Sequence, residues 1–377
     1  MAMVELVDNF RTNEARIKVI GVGGGGGNAL NRMLESSLKN VDLIAVNTDL
    51  QALKRHKSPI VKIQIGENTT RGLGVGGDPE KGKQSALESE EYIKEIAGDA
   101  DLIFITAGMG GGTGTGAAPV IARIARENAD ALIIGVVTKP FACEGGPKHD
   151  LAEKGIEEMR AYVDSMLIIP NSRLSDTLPK DISAEDAFRA ADDVLKQAIK
   201  GITDVITSQG VVNVDFADVK SIMKNSSNAL IGIGRAKGEN RHIAAAKEAI
   251  RSPLLENTDI QDAKGIIVNI IASKNLKLVE LEEATEYIKK VVSNDGVKLK
   301  FGKVYDDEMK DEMQVTVIAT GFPSRVISRH FKDSCKKTAP RDYETDILKE
   351  EGNNLQTVPR NDFERPAYMR RQKRLLD

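Results

Sequence analysis

The sequence predicts an α/β fold: a parallel-sheet, Rossmann-like domain joined by a long central helix to a smaller α+β domain, with a disordered C-terminal tail. Three observations predict it. Apolar runs of strand length alternate with helical patterns from Ile17 to Ser172, the mark of a parallel sheet covered on both faces. One helical stripe then runs from Ser183 to Ser208, and at 1.5 Å rise it spans about 37 Å, enough to cross one domain and reach another. Beyond Asn225 the rhythm changes to helix, strand, helix and two successive strands, and past Phe322 apolar residues thin out among charges.

In order along the chain, "IKVIGVG" from Ile17 is a strand running into glycines, "GGGGNALNRMLESSL" a helix, and "VDLIAVNTD" the next strand. A second cycle runs from "EEYIKEIAG" through the strand "DLIFITAG" and the stretch "GMGGGTGTG" (Gly108–Gly116) to the helix "AAPVIARIAREN", then to "ALIIGVVT"; "SMLIIPNS" is one more buried strand. The central helix opens on Ser183 and Asp186, which read as a capping box. Its apolar positions Ala187, Phe188, Ala191, Val194, Leu195, Ala198, Ile199, Ile202, Val205 and Ile206 recur at helical spacing. The smaller domain reads as a helix near "HIAAAKEAIRS", the strand "KGIIVNIIAS", the helix "LVELEEATEYIKKVV" and the strands "VKLKFGKVYD" and "MQVTVIATGF". The boundaries are an arm at 1–16, the sheet domain at 17–182, the central helix at 183–209, a loop and helix at 210–224, the α+β domain at 225–322, a linker at 323–360 and a terminal peptide at 361–377. The linker's composition is that of a disordered segment, with a flexible span of roughly 35 Å. The peptide "NDFERPAYMRRQKRLLD" regains apolar residues among basic ones; it reads either as a solvated tail or as a short segment that folds on a partner.

Composition removes several classes of function. The 377 residues are 41% hydrophobic and 29% charged, with a net charge of −3, which argues against a general nucleic-acid binder. Cys143 and Cys335 make no disulfide framework and no metal-ligand spacing, consistent with a reducing cytoplasm. The start "MAMVELVDNFRTNEAR" lacks the basic and apolar regions of a signal peptide, and no apolar run approaches the roughly 20 residues that span a bilayer. The four scattered histidines, His56, His149, His242 and His330, suggest no metal site. Cys143 reads as a small buried residue.

The chemistry lies in the glycines. "GMGGGTGTG" leaves no side chain longer than threonine after Met109, so binding there belongs to the main chain. Glycines let successive N–H groups turn to one anion, and the following helix adds the positive end of its dipole. A phosphate fits. Gly21–Gly26 also satisfies G-x-G-x-x-G, with Asp49 closing the next strand where a ribose contact belongs, so a nicotinamide-dependent oxidoreductase is one reading. Against it, two facing loops suit a longer phosphate chain, and a third glycine-rich segment, "TTRGLGVGGDPEKG" at Thr69–Gly82, has no place in a dehydrogenase. The P-loop pattern is absent.

"GGGTGTG" at Gly110–Gly116 resembles the tubulin signature, and its context "AGMGGGTGTGAAPVIA" is similar to the tubulin/FtsZ family of cell-division GTPases. So are "IKVIGVGGGGGNALNRM", "VNTDLQAL", "TRGLGVGGDPEKG", "VVTKPF", "IPNSRL" and "NVDFADVKSIM", in that order from Ile17 to Phe322, and "RPAYMRRQ" resembles the family's C-terminal peptide.

The resemblance implies GTP and Mg²⁺. Gly24, Gly25, Gly26, Gly27 and Asn28 would hold the α- and β-phosphates, with Gly110, Gly111, Gly112, Thr113 and Gly114 opposite. Gly74, Gly76 and Gly77 would lie by the γ-phosphate, Glu144 would hold the ribose, and Asn171, Phe188 and Asp192 would read or stack on guanine. On the residues alone, Phe188 reads equally as core packing and Asp192 as an exposed helix carboxylate. Asp215 and Asp218 read as a helix N-cap and its N3 carboxylate. The resemblance instead implies that they enter the site of the next subunit and position the attacking water, with Asn213 anchoring their loop. Such a contact is head-to-tail and gives open filaments. The peptide residues Phe363, Pro366, Tyr368, Met369, Arg370 and Arg371 would dock on a membrane-tethering adaptor at the division site. A tubulin-like scaffold that hydrolyses slowly is a further alternative. Three positions depart from the family pattern: Lys148 stands where arginine is usual and lacks its planar fork, Ser172 replaces a common aspartate, and Asp78 a common asparagine.

Overall fold

The computed structural model describes residues 15–35, 38, 40–207, 215–252, 255, 260–292 and 297–322. Its elements are β1 (Ile17–Val22), α1 (Gly23–Leu34), β2 (Val41–Asn47), α2 (Leu50–Lys54), β3 (Val61–Gln64), α3 (Glu67–Thr70), α4 (Pro79–Glu88), α5 (Glu90–Ala97), β4 (Leu102–Gly108), α6 (Thr113–Asn128), β5 (Leu132–Lys139), α7 (Gly146–Arg160), β6 (Ser165–Pro170) and α8 (Asn171–Leu174). After the central helix α9 (Ala184–Thr207) come α10 (Phe216–Met223), β7 (Ser227–Lys237), α11 (Arg241–Ile250), β8 (Gly265–Ala272), α12 (Leu278–Val292), β9 (Lys298–Tyr305) and β10 (Glu312–Thr320). All of them lie in one compact unit. No helix among the described residues is long and apolar enough to cross a membrane.

The strands form one sheet in the order β3-β2-β1-β4-β5-β6-β7-β10-β8-β9. From β3 to β6 every pairing is parallel. The chain winds outward from β1 through β2 to β3, then returns to β4 on the other flank of β1. The switch point, where a ligand crevice opens outside the strand ends, therefore lies between the carboxyl ends of β1 and β4. Both glycine loops begin there.

Strand alternation divides the apolar residues between two cores. Ile17 and Val19 of β1 pack with Leu30 and Met33 of α1 and Leu195, Ile199 and Ile202 of α9. Ile20 and Val22 face Ile121 and Ile124 of α6 and Met159 of α7. These side chains are almost wholly removed from water, each contributing about 1.5–3 kcal/mol of transfer free energy. A third core joins α11 and α12 to β8 and β10. The central helix serves both halves: Leu195 and Ile199 belong to the first core, while a Cβ on Gly201 would meet Thr316 of β10 at 3.1 Å and a Cβ on Gly302 of β9 would meet Val205 at 3.3 Å. Its start carries the N-cap half of the expected capping box: Ser183 Oγ accepts from Asp186 N–H at 3.1 Å, while the Asp186 carboxylate accepts from the Ser183 hydroxyl at 2.7 Å.

The short β3 escapes the apolar periodicity, and so does the longer β7. It pairs parallel with β6 through Ser227–Ala229 and antiparallel with β10 along its length, and so makes the second half a continuation of the first sheet. Its sequence, SNALIGIGRAK, carries glycines at alternate positions, which depress strand propensity. Packing requires them: a Cβ on Gly232 or Gly234 would run into the carbonyls of Ala249 and Ala245 of α11.

Candidate nucleotide site

The three glycine loops converge. Val22 caps α1 without any side-chain hydrogen bond, and no acidic residue sits in its first turn, so the first N–H groups stay open to an anion. A Cβ on Gly23 would lie 3.0 Å from Gly114 N, one on Gly25 3.1 Å from Gly108, and one on Gly112 2.8 Å from Asp78 N. A Cβ on Gly110 would meet the Lys148 carbonyl at 2.8 Å. Thr48 and Thr113 share a hydroxyl contact of 2.7 Å, which ties the end of β2 to the start of α6.

Two kinds of glycine separate here. The fold itself excludes a side chain at Gly26, Gly27, Gly110, Gly112 and Gly114, where backbone or ring atoms already fill the space, and crowds one at Gly25. At Gly24 and Gly111 nothing lies within 4 Å of the missing Cβ and φ is not positive, so neither packing nor backbone conformation demands glycine. Gly76 and Gly77 also face open space, but their φ values of +61° and +84° require glycine on conformational grounds; Gly74 shares that conformation with φ +80°. Asn28, on α1, is exposed.

Of the residues expected at the base, Phe188 and Asp192 lie on the first turns of α9 and Asn171 on α8. Phe188 departs from its stripe: it is 45% exposed rather than buried in the core, and its ring meets Phe141 edge-on with centroids 5.0 Å apart. The sequence reading missed Phe141, since "VVTKPF" looks like the end of a buried strand. Asp192 is half-buried, not a free surface carboxylate. Burial pushes its pKa up to about 7, with Arg32 of α1 pulling it down and Asp193 pushing it up. Asn171 is 5% exposed, and its Oδ1 is a buried acceptor with no hydrogen-bond partner among the described residues, a gap that a ligand donor would fill.

Glu144 sits on the short helical turn Ala142–Glu144, accepting from Phe141 N–H at 2.9 Å and from Lys148 Nζ at 3.0 Å. Lys148 thus braces the carboxylate one turn away. Cys143 on the same turn is exposed, contrary to the expectation of a buried thiol, because the turn directs Glu144 inward. His56 is a further residue that the sequence did not single out. Burial and Lys62 lower its pKa, its Nδ1 lies 2.9 Å from Asn31 Oδ1, and its ring fills the space beside Gly27. Asp49, the ribose ligand of the dehydrogenase reading, instead caps α2 by accepting from Gln51 and Ala52 N–H. Asp78 caps α4 in the same way.

Comparison with known proteins decides the family. Residues 16–179 match the Tubulin/FtsZ family, GTPase domain, and residues 227–323 match the FtsZ family, C-terminal domain. An FtsZ dimer from M. jannaschii, solved empty, is 39% identical, with a TM-score of 0.80 over 85% of this chain and 92% of that one. The chain belongs to the tubulin/FtsZ family. A CetZ2 protofilament from Haloferax volcanii with bound GTPgS has the same fold at 20% identity, TM-score 0.69, over 85% of this chain and 99% of that one. As a tubulin/FtsZ GTPase, the chain needs a guanine nucleotide site, and the bare glycines at Gly24 and Gly111 and the orphaned Asn171 amide fit one.

The acids lie elsewhere. Asp215 Oδ1 accepts from Asp218 N–H at 2.7 Å and caps α10, so the N-cap reading describes their local structure. Ile222 of the same helix packs against Gly265, the first residue of β8. Through the antiparallel β10, β8 runs in the same sense as β7 and β6, and so as β1 and β4, which places the acids towards the amino ends of the strands, whereas the glycine loops follow the carboxyl ends of β1 and β4. Asn213 and the peptide residues Phe363, Pro366, Tyr368, Met369, Arg370 and Arg371 lie outside the described residues.

Proposed function

We propose that this FtsZ-type GTPase polymerises head-to-tail and hydrolyses GTP at the contact between copies. Gly24–Asn28 and Gly110–Gly114 would grip the phosphates, Gly74–Gly77 the γ-phosphate, Glu144 the ribose, and Asn171, Phe188 and Asp192 the base. The observation that carries the reading is the pair of glycines, Gly24 and Gly111, that face open space without any demand from the fold. Mg²⁺ would arrive with the triphosphate and neutralise its charge. Phosphoryl transfer needs little beyond positioning and electrostatics, and Asp215 and Asp218 of a second copy would orient the water, with Asn213 anchoring their loop. Head-to-tail contacts build open filaments, in line with the M. jannaschii dimer and the H. volcanii protofilament. In a dividing cell such filaments would form the division ring, tethered to the membrane through an adaptor bound by Phe363, Pro366, Tyr368, Met369, Arg370 and Arg371.

Right-angle light scattering with Mg²⁺ and limiting GTP tests the reading. Scattering rises on addition of GTP and decays as phosphate is released, and Asp218→Ala keeps the rise but loses the decay. Absence of both scattering and phosphate release at every protein concentration would overturn it.

A further inference from the structure

Asp218 is already engaged within its own chain. Its Oδ1 lies 2.7 Å from Nζ of Lys300 on β9, the edge strand of the sheet, and the two side chains are 32% and 41% exposed. The Asp218 main-chain N–H is meanwhile held by Asp215 Oδ1. One end of the residue is fixed by the helix cap and the other by a cation from a distant strand, and among the described residues no donor reaches its Oδ2. An ordinary role is available for Lys300, since lysines on an edge strand discourage sheet extension. Lys298, exposed on the same strand with no ion pair among the described residues, fits that role. Lys300 is turned onto a carboxylate instead.

The charge balance gives this pair a purpose. Two carboxylates approaching the triphosphate of another copy meet like charge, which opposes the contact. A lysine beside them halves that repulsion and occupies one oxygen of Asp218, leaving the other for water. We propose that Lys300 is a positioning residue for Asp218, holding it by Oδ1 so that Oδ2 faces the attacking water in the neighbouring copy's site. The inference rests on the reading above that Asp218 acts on a neighbour's GTP. In that step the water oxygen bonds the γ-phosphorus as the bond to the β-phosphate oxygen breaks. The water's proton leaves towards Oδ2 and ends on the released phosphate.

The test uses the full chain with GTP and Mg²⁺, reading phosphate release per sedimented subunit, the GTP concentration for half-maximal rate, and the critical concentration. Lys300→Met lowers turnover per assembled subunit about three- to tenfold while the other two quantities stay within about twofold. Lys300→Arg, which keeps the cation, recovers most of the loss. If methionine disrupts the strand, shown by lost GTP binding, Lys300→Gln carries the same expectation. Turnover at or above the wild-type level would overturn the proposal. So would joint loss of assembly and turnover with GTP binding intact, which would make Lys300 a contact residue. Asp218→Ala in parallel separates the two claims: wild-type turnover in that variant sinks the reading of Asp218 itself, whereas lost turnover there with an unaffected Lys300→Met sinks only the role of Lys300.

Discussion

Burial pushes the Asp192 carboxyl up to about 7, so near neutral pH about half of the free molecules carry a proton there. Guanine offers two donors on its Watson–Crick edge, and only the ionised carboxylate accepts both. If Asp192 reads the base as proposed, binding draws on the deprotonated fraction, and apparent affinity should fall as pH drops through 7. Between pH 8 and pH 6 that fraction changes about tenfold, and the dissociation constant for GDP should rise by the same factor. Asp192→Asn, with one acceptor and no titration, should bind weakly at both pH values, and it corrects for titration of the nucleotide's own phosphate. A wild-type affinity whose pH profile matches that of the variant would show that Asp192 does not touch the base. The open glycines make a second prediction. Gly24→Ala should leave folding intact or raise stability by about 0.5–1 kcal/mol, the usual gain for replacing a helical glycine, while GTP affinity drops at least tenfold. Thermal melts beside nucleotide titrations check both. A variant that binds GTP normally would remove the phosphate role of that residue.

At the scale of elements, α9 carries a second displaced carboxyl. Asp204 is raised to about 6, chiefly by burial, with Lys200 lowering it and Asp306 raising it; Lys200 Nζ lies 3.8 Å away, too far for a hydrogen bond. An acid whose folded pKa exceeds its unfolded value favours the protonated fold. Its ionisation therefore costs stability above pH 6, and the cost vanishes as pH falls towards 4. Asp204→Asn should raise the melting temperature at pH 8 by an amount worth up to about 3 kcal/mol, and the gain should shrink towards pH 5. A gain that does not depend on pH would assign the effect to packing instead. The helix illustrates what a sequence makes legible. Its length, its cap at Ser183 and its apolar face follow from periodicity. The outward turn of Phe188 does not, because an aromatic in a stripe reads as core until its edge-on contact with Phe141, just past the end of β5, is seen. β7 hid for a related reason: Gly232 and Gly234 weaken its local signal, and their need arises only from α11 lying across them. The Lys300–Asp218 pair joins residues from separate elements, and no local pattern encodes it. The glycine loops are legible because turns of bare backbone are written directly as glycine.

For the whole molecule, the decisive feature is the distance between cradle and acids. Asp192 stands near the start of α9, and the helix continues to Thr207, about 22 Å further on at 1.5 Å per residue, before the chain reaches α10. Asp215 and Asp218 therefore sit at the opposite end of the sheet from the glycine loops, and no side-chain rotation brings them to those loops in their own chain. The proposed contact supplies them from a second copy, which predicts that phosphate release per subunit vanishes on dilution below the critical concentration. It also predicts complementation between two damaged chains. Asp218→Ala retains its cradle but offers no acid to a neighbour; Gly24→Ala retains its acids but grips GTP poorly. Each alone should turn over slowly. In a filament assembled from equal amounts, about a quarter of the head-to-tail contacts place intact acids against an intact cradle, and those contacts should hydrolyse at the wild-type rate. Phosphate release from the mixture should exceed the sum of the separate rates several-fold. A mixture that gives only that sum, although sedimentation shows the two variants co-assembling, would mean that hydrolysis needs nothing from the neighbour.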